Sequence, residues 1–181
     1  MNKFFARDVL GFSILELMIV IAIAGVISAV AIPRMQNMIR NNQVSAQNNE
    51  LIALIHLTRN EGIRRNPLLG QSVRLELAAD GATWEGNVFP PGELETVGDC
   101  PVGAIRCANH ERVRLRAANE DDFVLLFDNR GYLVDAAGTL RVDGVTLFLV
   151  HQDCGNELQS RQIRILPTGQ VNSERADCNP L

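Results

Sequence analysis

Residues 12–32 read FSILELMIVIAIAGVISAVAI, and this stretch decides the architecture. Only Ser13, Glu16 and Ser28 bring polar side chains into it. At about 1.5 Å per residue, a helix of this length covers about 30 Å, the hydrocarbon thickness of a bilayer. Every face of it is apolar, so it belongs in lipid or in a packed interior, not on a wet surface. A secretory signal has a shorter apolar region, about 7–15 residues, ending in a small-residue cleavage site. Pro33-Arg34-Met35 after the run is no such site. The preceding MNKFFARDVLG carries Lys3 and Arg7 against Asp8, which favours a cytoplasmic side for it. Glu16 is the exception in the run. A carboxylate near a bilayer centre costs about 2.5–3.5 kcal/mol, and such residues are usually functional.

Downstream, residues 34–65 turn polar but remain helix-compatible, with no Gly or Pro until Gly62. Leu51, Leu54, Ile55 and Thr58 recur at spacings of three and four, which marks one face for packing on a domain. Asn66-Pro67 ends the pattern, so a continuous helix over 12–65 is predicted, roughly 80 Å long. Beyond Pro67 the period changes to two. Residues 72–77, 113–116 and 162–165 alternate apolar with polar, whereas 123–127 and 145–150 are more continuously apolar and read as central strands. Asp128-Asn129-Arg130-Gly131 and Pro167-Thr168-Gly169 read as turns. Residues 79–112, rich in Gly, Pro and Cys, read as a long irregular connection. The expected fold class is α+β: a long N-terminal helix packed on an antiparallel sheet.

Composition limits the function. The chain has 181 residues, 46% hydrophobic and 21% charged, which fits one globular domain beyond the apolar run. Seventeen basic against 21 acidic side chains give a net charge of −4, which argues against nucleic-acid binding by bulk electrostatics. There is no phosphate-cradling glycine loop, nucleophile elbow or metalloprotease pair, and no enzymatic activity or cofactor is expected. His56, His110 and His151 are scattered, and the run Glu120-Asp121-Asp122 lacks the alternating spacing of a calcium loop. Cys100, Cys107, Cys154 and Cys178 are too widely spaced for zinc knuckles.

Gly11-Phe12-Ser13-Ile14-Leu15-Glu16-Leu17-Met18 resembles the GF-T-L-x-E-L motif of type IV prepilins and type II secretion pseudopilins. The resemblance implies cleavage between Gly11 and Phe12 by a membrane-embedded prepilin peptidase and N-methylation of Phe12. It implies an assembly role for Glu16, which would neutralise the new terminal ammonium of its own or a neighbouring subunit. The stretch AQNNELIALIHLTRNEGIRRN at 46–66, FDNRGYL at 127–133 and RQIRILPTGQVNSERADC at 161–178 are similar to the minor-pilin group containing GspH, FimT and FimU. The implied organisation is a leader peptide at 1–11, a transmembrane helix at 12–32, its periplasmic continuation at 33–66 and an antiparallel β-sheet domain at 67–181. The implied partners are other minor and major pilins, the inner membrane and the prepilin peptidase.

The same topology places the C-terminal domain in an oxidising periplasm, where paired cysteines persist. Three connectivities are open, and sequence proximity favours Cys100–Cys107 and Cys154–Cys178. The expected function is a minor pilin in the tip or priming complex of a type IV pilus. The alternatives are a type II secretion pseudopilin of GspH type and a FimT-like DNA-uptake pilin. In the last group a Gly-Arg-x-Arg motif binds DNA; here that place reads Gly169-Gln170-Val171-Asn172, leaving only Arg161, Arg164 and Arg175 nearby. DNA is not expected as a partner.

Overall fold

The structure is a computed structural model, described for residues 12–65, 73–80, 83–90, 104–119 and 123–179. The chain forms two compact units that meet between Ile39 and Arg40. The helix α1 spans Ile14–Arg65 and contains Pro33. In the first unit every described side chain from 12 to 39 is exposed. Among the described residues, α1 is the one helix long and apolar enough to cross a membrane.

In the second unit the strands are β1 (Val73–Asp80), β2 (Thr83–Phe89), β3 (Arg106–Glu111), β4 (Val113–Ala117), β5 (Val124–Phe127), β6 (Leu133–Val134), β7 (Val145–His151), β8 (Ser160–Ile165) and β9 (Val171–Arg175). They form two antiparallel sheets among the described residues, ordered β3-β2-β1-β5-β6 and β4-β7-β8-β9. The helix-on-sheet expectation holds, and both apolar runs lie inside a sheet, as β5 and β7. Periodicity marks apolar faces but not neighbouring strands, so the division into two sheets was not legible. The chain passes from one sheet to the other at Arg112, whose φ of 68° turns the backbone between β3 and β4.

The irregular connection expected over 79–112 is corrected. It contains all of β2 and β3, and β1 runs on to Asp80. Gly86 hid β2 by interrupting the apolar alternation of Trp84 and Val88. Its missing side chain admits the helix: a Cβ there would lie 2.8 Å from Leu54 Cδ1. The edge strand β3 reads RCANHE and offers only Cys107 and Ala108 as apolar signals.

The stripe Val44, Gln47, Asn48, Leu51, Leu54, Ile55, Thr58 and Gly62 on α1 is buried. Leu51, Leu54 and Ile55 share one core with Leu75, Trp84 and Phe127 of the first sheet and Leu115, Leu149 and Ile163 of the second. Each such large side chain contributes about 1.5–3 kcal/mol through burial. Gln47 is a polar exception within the stripe. Its Nε2 donates to the Glu111 carbonyl at 3.0 Å and its Oε1 accepts from Trp84 Nε1 at 2.8 Å. It therefore satisfies the indole that the core needs for its bulk. At the end of α1, Glu61 pairs with Arg64 at 2.6 Å and Arg65 at 2.8 Å. Those hydrogen bonds hold its carboxyl below the usual range, and the two arginines complement the negative end of the helix.

Both expected turns are present, and they interlock. Asp128 Oδ1 accepts the N–H groups of Arg130 at 2.9 Å and Tyr132 at 2.8 Å, and Gly131 follows at φ 79°. Leu133 N–H donates to the Pro167 carbonyl at 2.9 Å, linking the two sheets. Arg59 of α1 donates from Nε to the Gly131 carbonyl at 3.0 Å. Gly169, at φ 75°, fits beneath: a Cβ there would overlap the Gly131 carbonyl oxygen.

His151, at the end of β7, is buried at 3% exposure. Its Nδ1 accepts the Asp153 N–H at 3.0 Å, so the proton sits on Nε2, which donates to Gln43 Oε1 of α1 at 3.0 Å. Burial pushes its pKa below the ordinary 6.5; Arg40 and Arg112 push the same way, and Asp153 opposes them. Protonating Nδ1 removes the acceptor for Asp153 N–H.

Two outcomes follow from these contacts. Gly169→Ala should destabilise by at least about 2 kcal/mol, because left-handed strain of about 1–2 kcal/mol is joined by overlap with backbone. Gly138→Ala, at φ 79° in open space, should show the strain alone. Equal urea midpoints for the two would refute the interlock. Because folding depresses the His151 pKa, the unfolded chain binds more protons as the solution is acidified. The stability that His151 contributes is complete above about pH 6.5 and is lost as pH falls through its folded value. His151→Asn keeps an acceptor without a titrating ring, so urea unfolding of a 40–181 fragment should lose that pH slope. An unchanged slope would assign it to another group.

Candidate processing and assembly site

The N-terminus of α1 is built by Ser13. Its carbonyl accepts the Leu17 N–H at 3.1 Å, and its Oγ accepts the Leu15 N–H at 3.3 Å. A serine oxygen at this position satisfies one of the donors that a helix start leaves unpaired. Helix therefore begins at Ile14, with Phe12 immediately outside it at 86% exposure. Glu16 falls in the first turn, four residues after Phe12, where its charge complements the positive helix end.

Ser13-Ile14-Leu15-Glu16 also fits the capping-box pattern, in which the glutamate folds back onto the N-cap backbone. The structure does not use it that way. Among the described residues, Glu16 makes no hydrogen bond or ion pair. Its carboxylate is left exposed beside the chain segment that includes Phe12. Gly11 lies outside the described residues.

The four cysteines separate. Cys154, after β7, is joined to Cys178 with their Cα atoms 5.6 Å apart, which ties the C-terminal tail to the β7–β8 connection. Cys107 on β3 is disulfide-bonded, and Cys100 lies outside the described residues. With Cys154 oxidised and both ring nitrogens of His151 engaged, the His151-Asp153-Cys154 run forms no nucleophile-base pair.

The three arginines near the C-terminus do not converge. Arg161 is half-buried and spent internally: Nη1 donates to the carbonyls of Leu158 at 3.0 Å and Ser160 at 2.9 Å. Its Nη2 reaches Ser45 Oγ at 3.3 Å and Asn41 Oδ1 at 3.5 Å on α1. Desolvation, and then Arg175, lower its pKa. Arg161 and Arg175 are cross-strand partners, whereas Arg164 points to the opposite face of the sheet. The polar links from α1 through Gln43, Gln47 and Arg161 were missed in sequence because their partners lie far along the chain.

Comparison with known proteins agrees with this geometry. Residues 7–32 match the family described as a prokaryotic N-terminal methylation motif. Two type IV major fimbrial proteins FimA of Dichelobacter nodosus are each 57% identical over 35 residues, 19% of this chain and 22% of theirs. The match thus spans about a fifth of those relatives. Two crystal structures of the type IV minor pilin FimU of Pseudomonas aeruginosa align at 14% identity. They cover 72% and 74% of this chain and 91% and 89% of theirs, with TM-scores of 0.50 and 0.51. At that identity the likeness concerns the fold. A methylation motif at one end and this fold at the other make the chain a type IV pilin-like protein that resembles the minor pilins.

Proposed function

We propose that the protein is a minor pilin that assembles with other pilins in the tip or priming complex of a type IV pilus. The observation that carries this reading is the first helical turn: Phe12 stands at its mouth and the Glu16 carboxylate is unspent within it. The precursor resides in the inner membrane with 1–11 on the cytoplasmic side and the sheet domain in the periplasm. Prepilin peptidase cuts after Gly11 and methylates Phe12. Cleavage creates an ammonium beside Glu16, and pairing of the two charges offsets part of the penalty of holding each in lipid or in a filament interior. A terminus pairing with the Glu16 of a neighbour would bring subunits together in axial register. The wholly apolar helix surface serves both residences, because it packs equally on acyl chains and on other helices.

Processing has a clean chemical signature. Lys3 is the sole lysine of the chain and lies in the leader, so the mature protein carries its α-amine as its one aliphatic amine. Intact mass should show loss of 1–11 and gain of one methyl. Reductive methylation should then add one methyl, where an unmodified primary amine takes two. Gly11→Ala should accumulate uncut precursor; normal maturation of that variant would sink the assignment.

Glu16→Ala separates assembly from membrane residence. Removing a carboxylate makes insertion easier, so the variant should stay in the membrane and still be cut. Its recovery in sheared surface filaments should fall by about tenfold or more, in line with an unpaired buried charge costing several kcal/mol. Wild-type recovery would reduce Glu16 to a bystander.

A further inference from the structure

The second sheet has a face opposite α1, and its charges are unbalanced. Val113, Leu115, Ile163 and Ile165 point into the core, so alternation turns Arg114, Arg116 and Arg164 outward. The pairing register sets Arg116, Phe148, Gln162 and Glu174 side by side in one row across β4, β7, β8 and β9. Arg114 stands about 7 Å from Arg116 along β4, and Arg164 about 10 Å away across β7.

Elsewhere in this acidic chain, arginines find acids. Arg74 meets Glu76 at 2.8 Å, Arg106 meets Glu50 at 3.2 Å and Arg130 meets Asp128 at 2.9 Å. Arg114, Arg116 and Arg164 have no ion pair or hydrogen bond among the described residues. Three like charges on one pleated face repel one another, and Glu174 at the β9 rim is the acid that this face presents.

We infer that this face is a docking surface for a carboxylate-rich surface of a neighbouring filament subunit. The inference rests on the pilin reading. Charge complementarity selects an anion, and planar guanidinium forks suit carboxylates bidentately. A nucleic acid fits poorly. Phe148, at 7% exposure, offers no aromatic platform for bases, and a polyanion would also meet the surplus of negative charge on the rest of the chain. An acidic patch of limited extent escapes that repulsion, because charges more than about 8 Å apart are screened at physiological salt.

Benzoylphenylalanine at position 172, exposed and paired with Arg164 on this face, tests the inference in the full-length protein in cells. Irradiation should yield a crosslink to an Asp- or Glu-bearing peptide of a co-assembled subunit. Combined Arg114→Gln, Arg116→Gln and Arg164→Gln should reduce that crosslink about tenfold, with the leader still cut and the chain still inserted. Crosslinks to lipid or nucleic acid, to a peptide without acids, to nothing, or at undiminished yield in the neutralised chain would overturn it. Failure of the pilin reading shows separately, as an uncut wild-type leader and absence of the wild-type chain from sheared filaments.

Discussion

One apolar stripe on α1, from Val44 to Gly62, holds the second unit together. Neither sheet buries its inner face alone, since the first has only the two-residue β6 at one edge and the second has the mostly exposed β9. The helix closes both at once. The spacing of its buried residues leaves room for bulk where a sheet is concave and for glycine where a strand comes close. At Gly62 a Cβ would lie 3.1 Å from the Asp128 carbonyl oxygen, so the end of the helix rests almost directly on backbone.

Polar side chains along the edges of that stripe set the orientation that hydrophobic burial leaves open. Gln43 meets His151, Gln47 meets Trp84 and Glu111, and Asn48 accepts from Ser173 Oγ at 2.8 Å. A non-directional apolar contact tolerates sliding by a turn, whereas these bonds are satisfied at one register only. Leaving one such buried group unpaired costs about 1–3 kcal/mol, comparable to a whole core side chain. The arginines divide along the same line. Arg161 and Arg59 serve the interior by donating to carbonyls or to side chains of α1, and those on the outer face of the second sheet have no internal task.

At the other end of the chain the physics is that of a charge in an apolar segment. The first turn of α1 satisfies its backbone through Ser13, so the carboxylate of Glu16 is not consumed by capping. A helix that needed Glu16 for its own start would leave no acceptor for an incoming ammonium. The division of labour between two polar residues three positions apart is what makes the terminus reactive toward a partner.

Much of this was legible in the sequence, because the relevant forces are local. The length and uniform apolarity of 12–32, the position of Glu16, the Leu51-Leu54-Ile55-Thr58 face and the two glycine turns each depend on residues within a few positions of one another. Tertiary structure alone decided the rest. The sorting of strands into two sheets, the existence of β2 and β3 within 79–112, and the burial of Arg161 all depend on neighbours that periodicity does not name. Trp84 finds Gln47 across 37 positions and His151 finds Gln43 across 108. A pattern of apolar residues records which face of an element avoids water; which distant face it meets, and which polar groups are then trapped between them, is settled only when the chain closes on itself.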